Sequence, residues 1–132
     1  MSVCAVLESH VTESKLKSIC KRIFGRWEWV SNTCDCVGGT RIIIGCNPDV
    51  INLIVLNKSD QVVHCFGRLC DSGKVLYLSF IYGDSYDIRR RDLWKDLIKH
   101  KVVVKDDPWV LMGDFNVALN NSDYMIVSSK IK

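Results

Sequence analysis

Two acidic residues stand where apolar runs end. Val6-Leu7-Glu8 closes one run near the N-terminus, and Leu111-Met112-Gly113-Asp114-Phe115-Asn116 closes another near the C-terminus. A carboxylate leaving the end of a buried strand can point into a crevice at the sheet edge. There a hard divalent cation such as magnesium could take its oxygens together with water and a substrate phosphate. Gly113 would allow the sharp turn that exposes Asp114, Phe115 would return to the core, and Asn116 would rejoin Asp114 on the same side. A carboxylate beside an amide suits phosphodiester hydrolysis: the first can orient or deprotonate a water, the second can hold a phosphate oxygen. The same residues also suit an ordinary Asx turn, and both readings stay open at this level.

The elements that must position these groups follow from periodicity. Val3 to Leu7 is a short apolar run that fits a buried strand, stopping just before Glu8. Leu16, Ile19, Cys20 and Ile23 recur at helical spacing, with Lys15, Lys17, Lys21 and Arg22 opposite and Gly25 beyond the end. Strand patterns then run from Trp27 to Ser31, Arg41 to Cys46, Ile51 to Leu56, Gln61 to Arg68 and Val75 to Tyr82. The turn chemistry between them (Asn47-Pro48-Asp49, Asn57-Lys58-Ser59-Asp60, Asp71-Ser72-Gly73-Lys74) predicts that the last four form an antiparallel meander. Val75 to Tyr82 is apolar at both parities, which predicts a sheet covered on both faces. Asp87 to Lys101 is helical in spacing, with Leu93, Trp94, Leu97 and Ile98 as its stripe and Arg89, Arg90 and Arg91 on a solvated face. Trp109 to Met112 is a short strand expected to stop at Gly113, and the stretch after Asn120 reads as a frayed tail.

The 132 residues suit one domain; 48% hydrophobic content, 25% charged content and two prolines exclude a disordered or collagen-like chain. A net charge of +3 tolerates a phosphate-bearing partner without demanding one. The seven cysteines are odd in number and follow no secretory signal, and the first apolar run is too short to span a membrane, so the expectation is an intracellular, reduced protein. Cys34-Asp35-Cys36 lacks the second ligand pair that a tetrahedral zinc site needs.

Taken in order, five phrases resemble the endonuclease domain of plant non-LTR retrotransposons, within the deoxyribonuclease I-like endonuclease/exonuclease/phosphatase superfamily. They are Leu7-Glu8-Ser9-His10-Val11, Gly39 to Gly45, Ser79-Phe80-Ile81-Tyr82-Gly83, Leu93-Trp94, and Pro108 to Asn116. The resemblance implies an α/β (α+β) fold: a partial four-layered sandwich of two mostly antiparallel sheets flanked by helices, with residues 1–132 forming one incomplete domain. It implies Glu8 as a magnesium ligand, Tyr82 as a phosphate-positioning residue, and Asp114 and Asn116 as the pair serving water and phosphate. It also implies DNA as partner and, for action on chromosomal DNA, a nuclear location.

Two family motifs are absent from this sequence: an asparagine-bearing strand upstream of the glutamate and a Ser-Asp-His ending. Ser122-Asp123-Tyr124 is only superficially similar to the latter, and His10, His64 and His100 all precede Asp114, so each is expected to be an ordinary surface or satisfied histidine. The expectation is therefore an endonuclease-like chain with little or no turnover. The alternative is a non-catalytic remnant that binds nucleic acid or protein weakly and self-associates through exposed sheet edges. Nothing in the sequence provides the Tyr-x-Asp-Asp turn of a reverse transcriptase.

Overall fold

The computed structural model describes residues 2–117 and 128–129. Eight strands and two helices follow in the order β1 (Val3–Val11), α1 (Glu13–Phe24), β2 (Glu28–Ser31), β3 (Thr40–Cys46), β4 (Ile51–Lys58), β5 (Val62–Leu69), β6 (Val75–Tyr82), α2 (Asp87–Val104), β7 (Trp109–Asp114) and β8 (Ser128–Ser129). The strands form two sheets, one ordered β1-β3-β2 and the other β4-β5-β6-β7-β8. All pairings are antiparallel except β6 with β7, which run parallel because the chain crosses over through α2.

Alternation along the strands builds four layers. In β3, Ile42 and Ile44 face the second sheet and pack with Val63, Cys65, Leu78 and Phe80, while Ile43 faces α1. Helix α1 turns Leu16, Cys20 and Phe24 onto that outer face, where a Cβ at Gly45 would overlap the Phe24 ring. On the other side, α2 turns Leu93 against Val62 and Ile81, with Leu97, Leu111 and Phe115 closing the cluster. Both faces of β6 are covered, as its unbroken apolar run predicts. The four-layered α/β sandwich expected from the sequence is the observed architecture.

Four expectations need correction. The meander is split: β3 pairs with β1 and β2, and only β4, β5 and β6 run as a meander, because the chain changes sheets at Asn47-Pro48-Asp49. The stripe of α2 is rotated, with Leu93, His100 and Val104 buried and Ile98 left 69% exposed. Strand β1 does not stop at Leu7 but continues to Val11 through an irregularity. Strand β7 likewise passes through Gly113 to Asp114. Gly113 is therefore not a turn residue: at φ 133°, a Cβ there would run into the Ile81 backbone, so glycine is what lets β7 lie against β6. The Ser122-Asp123-Tyr124 segment and most of the expected tail lie outside the described residues. No described helix is long and apolar enough to cross a membrane.

Candidate functional site

The four residues singled out from the sequence meet in one cleft of about 380 Å³. Glu8, His10 and Arg41 line it from one sheet, Tyr82, Asp114 and Asn116 from the other, with Gly83, Asp84 and Ser85 between.

Glu8 reaches the cleft through a bulge. Leu7 pairs with Ile42 and Val11 with Thr40, so four steps along β1 oppose two along β3. Glu8 at φ 55° and His10 at φ 53° take up the extra length in the left-handed region, which is uncommon for residues other than glycine. Without that bulge, strict alternation would send Glu8 to the α1 side, since Val6 packs there. Ser9 Oγ ties the bulge back by donating to the Thr40 carbonyl at 2.6 Å. His10 Nε2 stands 3.7 Å from a Glu8 carboxylate oxygen, so the histidine expected on an ordinary surface is part of the cleft wall.

The opposite wall is built by the ends of two parallel strands. Tyr82 and Asp114 are register partners, and the Gly83 amide donates to the Asp114 carbonyl at 2.7 Å. The Asn116 amide nitrogen Nδ2 donates to the Gly83 carbonyl at 2.9 Å, and the Asn116 backbone N–H donates to Asp114 Oδ1 at 2.8 Å. The last contact is an Asx turn that fixes one Asp114 carboxylate oxygen, and both Asp114 and Asn116 line the cleft. Asn116 adopts φ 55°, and Phe115 stacks on Trp94 of α2 with ring centroids 5.8 Å apart.

Among the described residues the cleft lining is acidic with one inserted guanidinium, Arg41. Burial pushes the Tyr82 phenol above its ordinary pKa, and the charges of Glu8 and Asp114 add to it while Arg41 pulls the other way. Tyr82 therefore stays a protonated donor at neutral pH. Two carboxylates acting on one phenol mean that both charges face the same small volume. Their hard oxygen donors suit magnesium, which is commonly held by one or two carboxylates together with waters and substrate phosphate oxygens. Among the described residues no group of three or more His, Cys, Asp or Glu side chains is clustered closely enough to hold a metal by itself, and Cys34 and Cys36 form no such site.

Sequence reading missed Arg41 and Asp84. Asp84 is 4% exposed and sits between Arg41 at 3.6 Å and Arg89 at 3.7 Å, with its Oδ1 accepting from the Tyr86 N–H. The basic run of α2 is correspondingly not all a solvated face. Arg90 donates to the Asp84 and Ser85 carbonyls at 2.9 Å and pairs with Asp87 at 2.6 Å, fixing the loop that forms the cleft floor. Gln61 accepts the Asp84 N–H and donates to the Arg89 carbonyl, tying the same loop to β5. Buried Asn32 completes the frame by bridging the Ile42 N–H to the Ser59 and Asp60 carbonyls across the two sheets.

Comparison with solved structures decides the fold. An endonuclease/exonuclease/phosphatase family protein from Bacteroides thetaiotaomicron superposes with a TM-score of 0.68 at 17% identity, over 94% of this chain and 53% of that one. The chain has the deoxyribonuclease I-like fold. A mannosyl-6-phosphatase from the same organism shares this fold at TM-score 0.66 and 17% identity, over 89% of this chain and 52% of its own. So does D. rerio TDP2 complexed with a single strand DNA product, at TM-score 0.57 and 14% identity, over 92% of this chain and 50% of its own. The chain thus spans about half the length of these deoxyribonuclease I-like structures. No family model and no curated protein matches the sequence.

Proposed function

We propose that this chain is a phosphodiesterase-type domain of the retrotransposon endonuclease kind, whose cleft takes a phosphodiester of DNA and hydrolyses it slowly. The observation that carries the proposal is the convergence of Glu8, Tyr82, Asp114 and Asn116, drawn from four separated stretches, on one polar cleft. Likeness in fold to TDP2 complexed with a single strand DNA product supports DNA as the partner class.

Glu8 would hold Mg2+, which when bound would offset the negative charge that Glu8 and Asp114 bring to the cleft and polarise a phosphate oxygen. The chain's own residues supply the rest. Tyr82, kept protonated by its surroundings, donates to a phosphate oxygen. Asp114 keeps one carboxylate oxygen in the Asx turn and uses the other to orient the attacking water. Asn116 holds the loop closed through Gly83. The sequence has no histidine after His100, and the cleft's own imidazole, His10, stands beside Glu8 rather than beside Asp114. Among the described residues no imidazole stands beside Asp114 to organise the attacking water, and lacking such a group costs on the order of 100-fold or more in rate.

Plasmid nicking tests the proposal. Slow nicking that needs magnesium, stops in EDTA and disappears in both Glu8→Gln and Asp114→Asn is the expected result, with circular dichroism confirming folded variants. Nicking that persists in both variants would overturn it.

A second reading, a non-catalytic binding module that self-associates, draws support from β4. Among the described residues this strand is an edge of its sheet, and it leaves Ile54 60% and Leu56 45% exposed. A compact monomer by size-exclusion chromatography at high concentration would count against it.

A further inference from the structure

Among the described residues Arg41 is the one guanidinium lining the cleft, and the structure holds it in an unusual way. It lies in β3, with its side chain 25% exposed and its remaining surface lining the cleft. Two carboxylates flank it, Asp84 at 3.6 Å and Asp60 at 4.0 Å, both at ion-pair but not hydrogen-bond distance. Its Nη1 is buried and has no hydrogen-bond acceptor among the described residues. A buried charged donor without an acceptor is costly, and proteins ordinarily satisfy such groups. Nη1 is thus turned toward the two acids and held there by charge, while the part of Arg41 that stays exposed lines the cleft.

The two acids that hold it are themselves immobilised. Asp84 is locked through the Tyr86 N–H and the Gln61 side chain. Asp60 sits on the turn whose carbonyl Asn32 clamps to β3. The guanidinium therefore has no need to be recruited from solvent when a ligand arrives. Its charge is also felt at Tyr82, on the opposite wall, so the two donors face a shared volume. A planar, permanently charged fork beside a phenol donor matches the oxygens of a phosphate group better than any neutral ligand.

We infer that Arg41 is the phosphate-binding residue of the cleft, gripping the non-bridging oxygens of a phosphoester, with Asp84 and Asp60 as positioning residues that keep the guanidinium aimed. The inference rests on the phosphoester reading of the cleft but does not require turnover.

The test measures binding and hydrolysis in the same samples. A fluorescein-labelled single-stranded oligonucleotide is followed by anisotropy in magnesium, with inorganic phosphate as competitor and a gel to record cleavage. Arg41→Ala is expected to weaken oligonucleotide binding by about 10- to 100-fold, the range for losing charge-assisted hydrogen bonds. Arg41→Lys should recover part of it, and Arg68→Ala, which removes the same charge at the far end of β5, should change it less than about twofold. Competition by millimolar inorganic phosphate identifies the phosphate group as the recognised chemistry; competition only by longer oligonucleotides would overturn that assignment.

The double variant Arg41→Ala/Asp84→Asn separates binding from structural neutralisation, since it leaves no buried acid unpaired by the loss of Arg41. Binding that stays weak in the double variant supports the inference. Binding restored to the wild-type level would overturn it, because Arg41 would then serve only to neutralise Asp84. Arg41-dependent binding without cleavage leaves the inference standing while the hydrolytic reading falls. Cleavage unaffected by Arg41→Ala, or no binding by the wild-type chain, overturns the inference.

Discussion

Strand β6 carries two polar centres a few residues apart, and they have opposite characters. At Ser79, toward α2, the Trp109 indole donates to the Ser79 hydroxyl at 2.8 Å, and that hydroxyl meets His64 Nδ1 at 2.6 Å. The Asp96 carboxylate, 3.3 Å from His64 Nε2, can only accept, so the neutral ring carries its proton on Nε2 and Nδ1 accepts from the Ser79 hydroxyl. His100 stacks on His64 at 3.8 Å and meets Trp109 edge-on. At Tyr82, by contrast, the side chains face an open cleft, three nearby residues hold left-handed backbone, and Arg41 has a donor without an acceptor. The first centre contains serine, histidine and aspartate within reach of one another, yet Ser79 and His64 are fully buried and mutually satisfied. Residue types alone would point to the wrong one. Access and backbone strain distinguish a place that acts from a place that supports, whereas an unmet hydrogen bond does not, since His100 Nε2 at the first centre is also buried without a partner among the described residues.

Substitutions can break this contrast. The largest effect belongs to the cleft: Asp114→Asn should lower any magnesium-dependent nicking by about 100-fold or more with an unchanged melting temperature, because Asn can still accept the Asx-turn bond. A parallel loss of stability would mean that the cleft is structural after all. Next, His64→Ala should cost about 3 to 4 kcal/mol in urea unfolding, from the cavity and from the abandoned Ser79 and Asp96 partners, with residual nicking per folded molecule unchanged.

The pH dependence should follow the buried pair. Burial, reinforced by His64, depresses His100 to about 4, and burial lowers His64 despite Asp96. In the unfolded chain both protonate near 6.5. The native state therefore keeps its full advantage above that value and loses it as pH falls toward 4, by roughly 3 kcal/mol for His100, with no further loss from His100 below that. His100→Phe should flatten this part of the profile; a wild-type curve already flat between pH 6.5 and 4 would refute the pairing. The smallest effect is a gain: Glu8→Gly should raise stability by about 0.5 kcal/mol, as relief of the left-handed backbone outweighs glycine's extra unfolded freedom. No gain would mean that the bulge holds no strain.

How much of this was legible beforehand depended on whether the determinant is local. The apolar run of β6, the Leu16 and Cys20 positions of α1 and the Asp114-Phe115-Asn116 turn are local and read correctly, whereas Ile23 is 54% exposed with Phe24 in the core instead, and Gly113 lies within β7. Asn47-Pro48-Asp49 announces that the chain turns, but its chemistry is the same whether the next strand returns to its own sheet or crosses to the other. Arg41 looked like one more residue in an apolar strand because its partners, Asp84 and Asp60, are set by sheet packing rather than spacing. The α2 stripe was misassigned for a similar reason: His100 counted as polar until His64, thirty-six positions earlier, offered it a ring to stack on.

The cleft also has a mechanical consequence. Glu8 and Arg41 ride on one sheet, Tyr82 and Asp114 on the other, so the opening lies across the seam where the two slabs meet. A ligand seated there bridges both slabs and acts as a rivet. Sliding one slab against the other would break its contacts, so occupancy raises resistance to unfolding in proportion to the logarithm of ligand concentration. Slow hydrogen exchange at Ile42 and Phe80, buried well behind the cleft in the inter-sheet core, would then register an event at the surface without either residue touching the ligand.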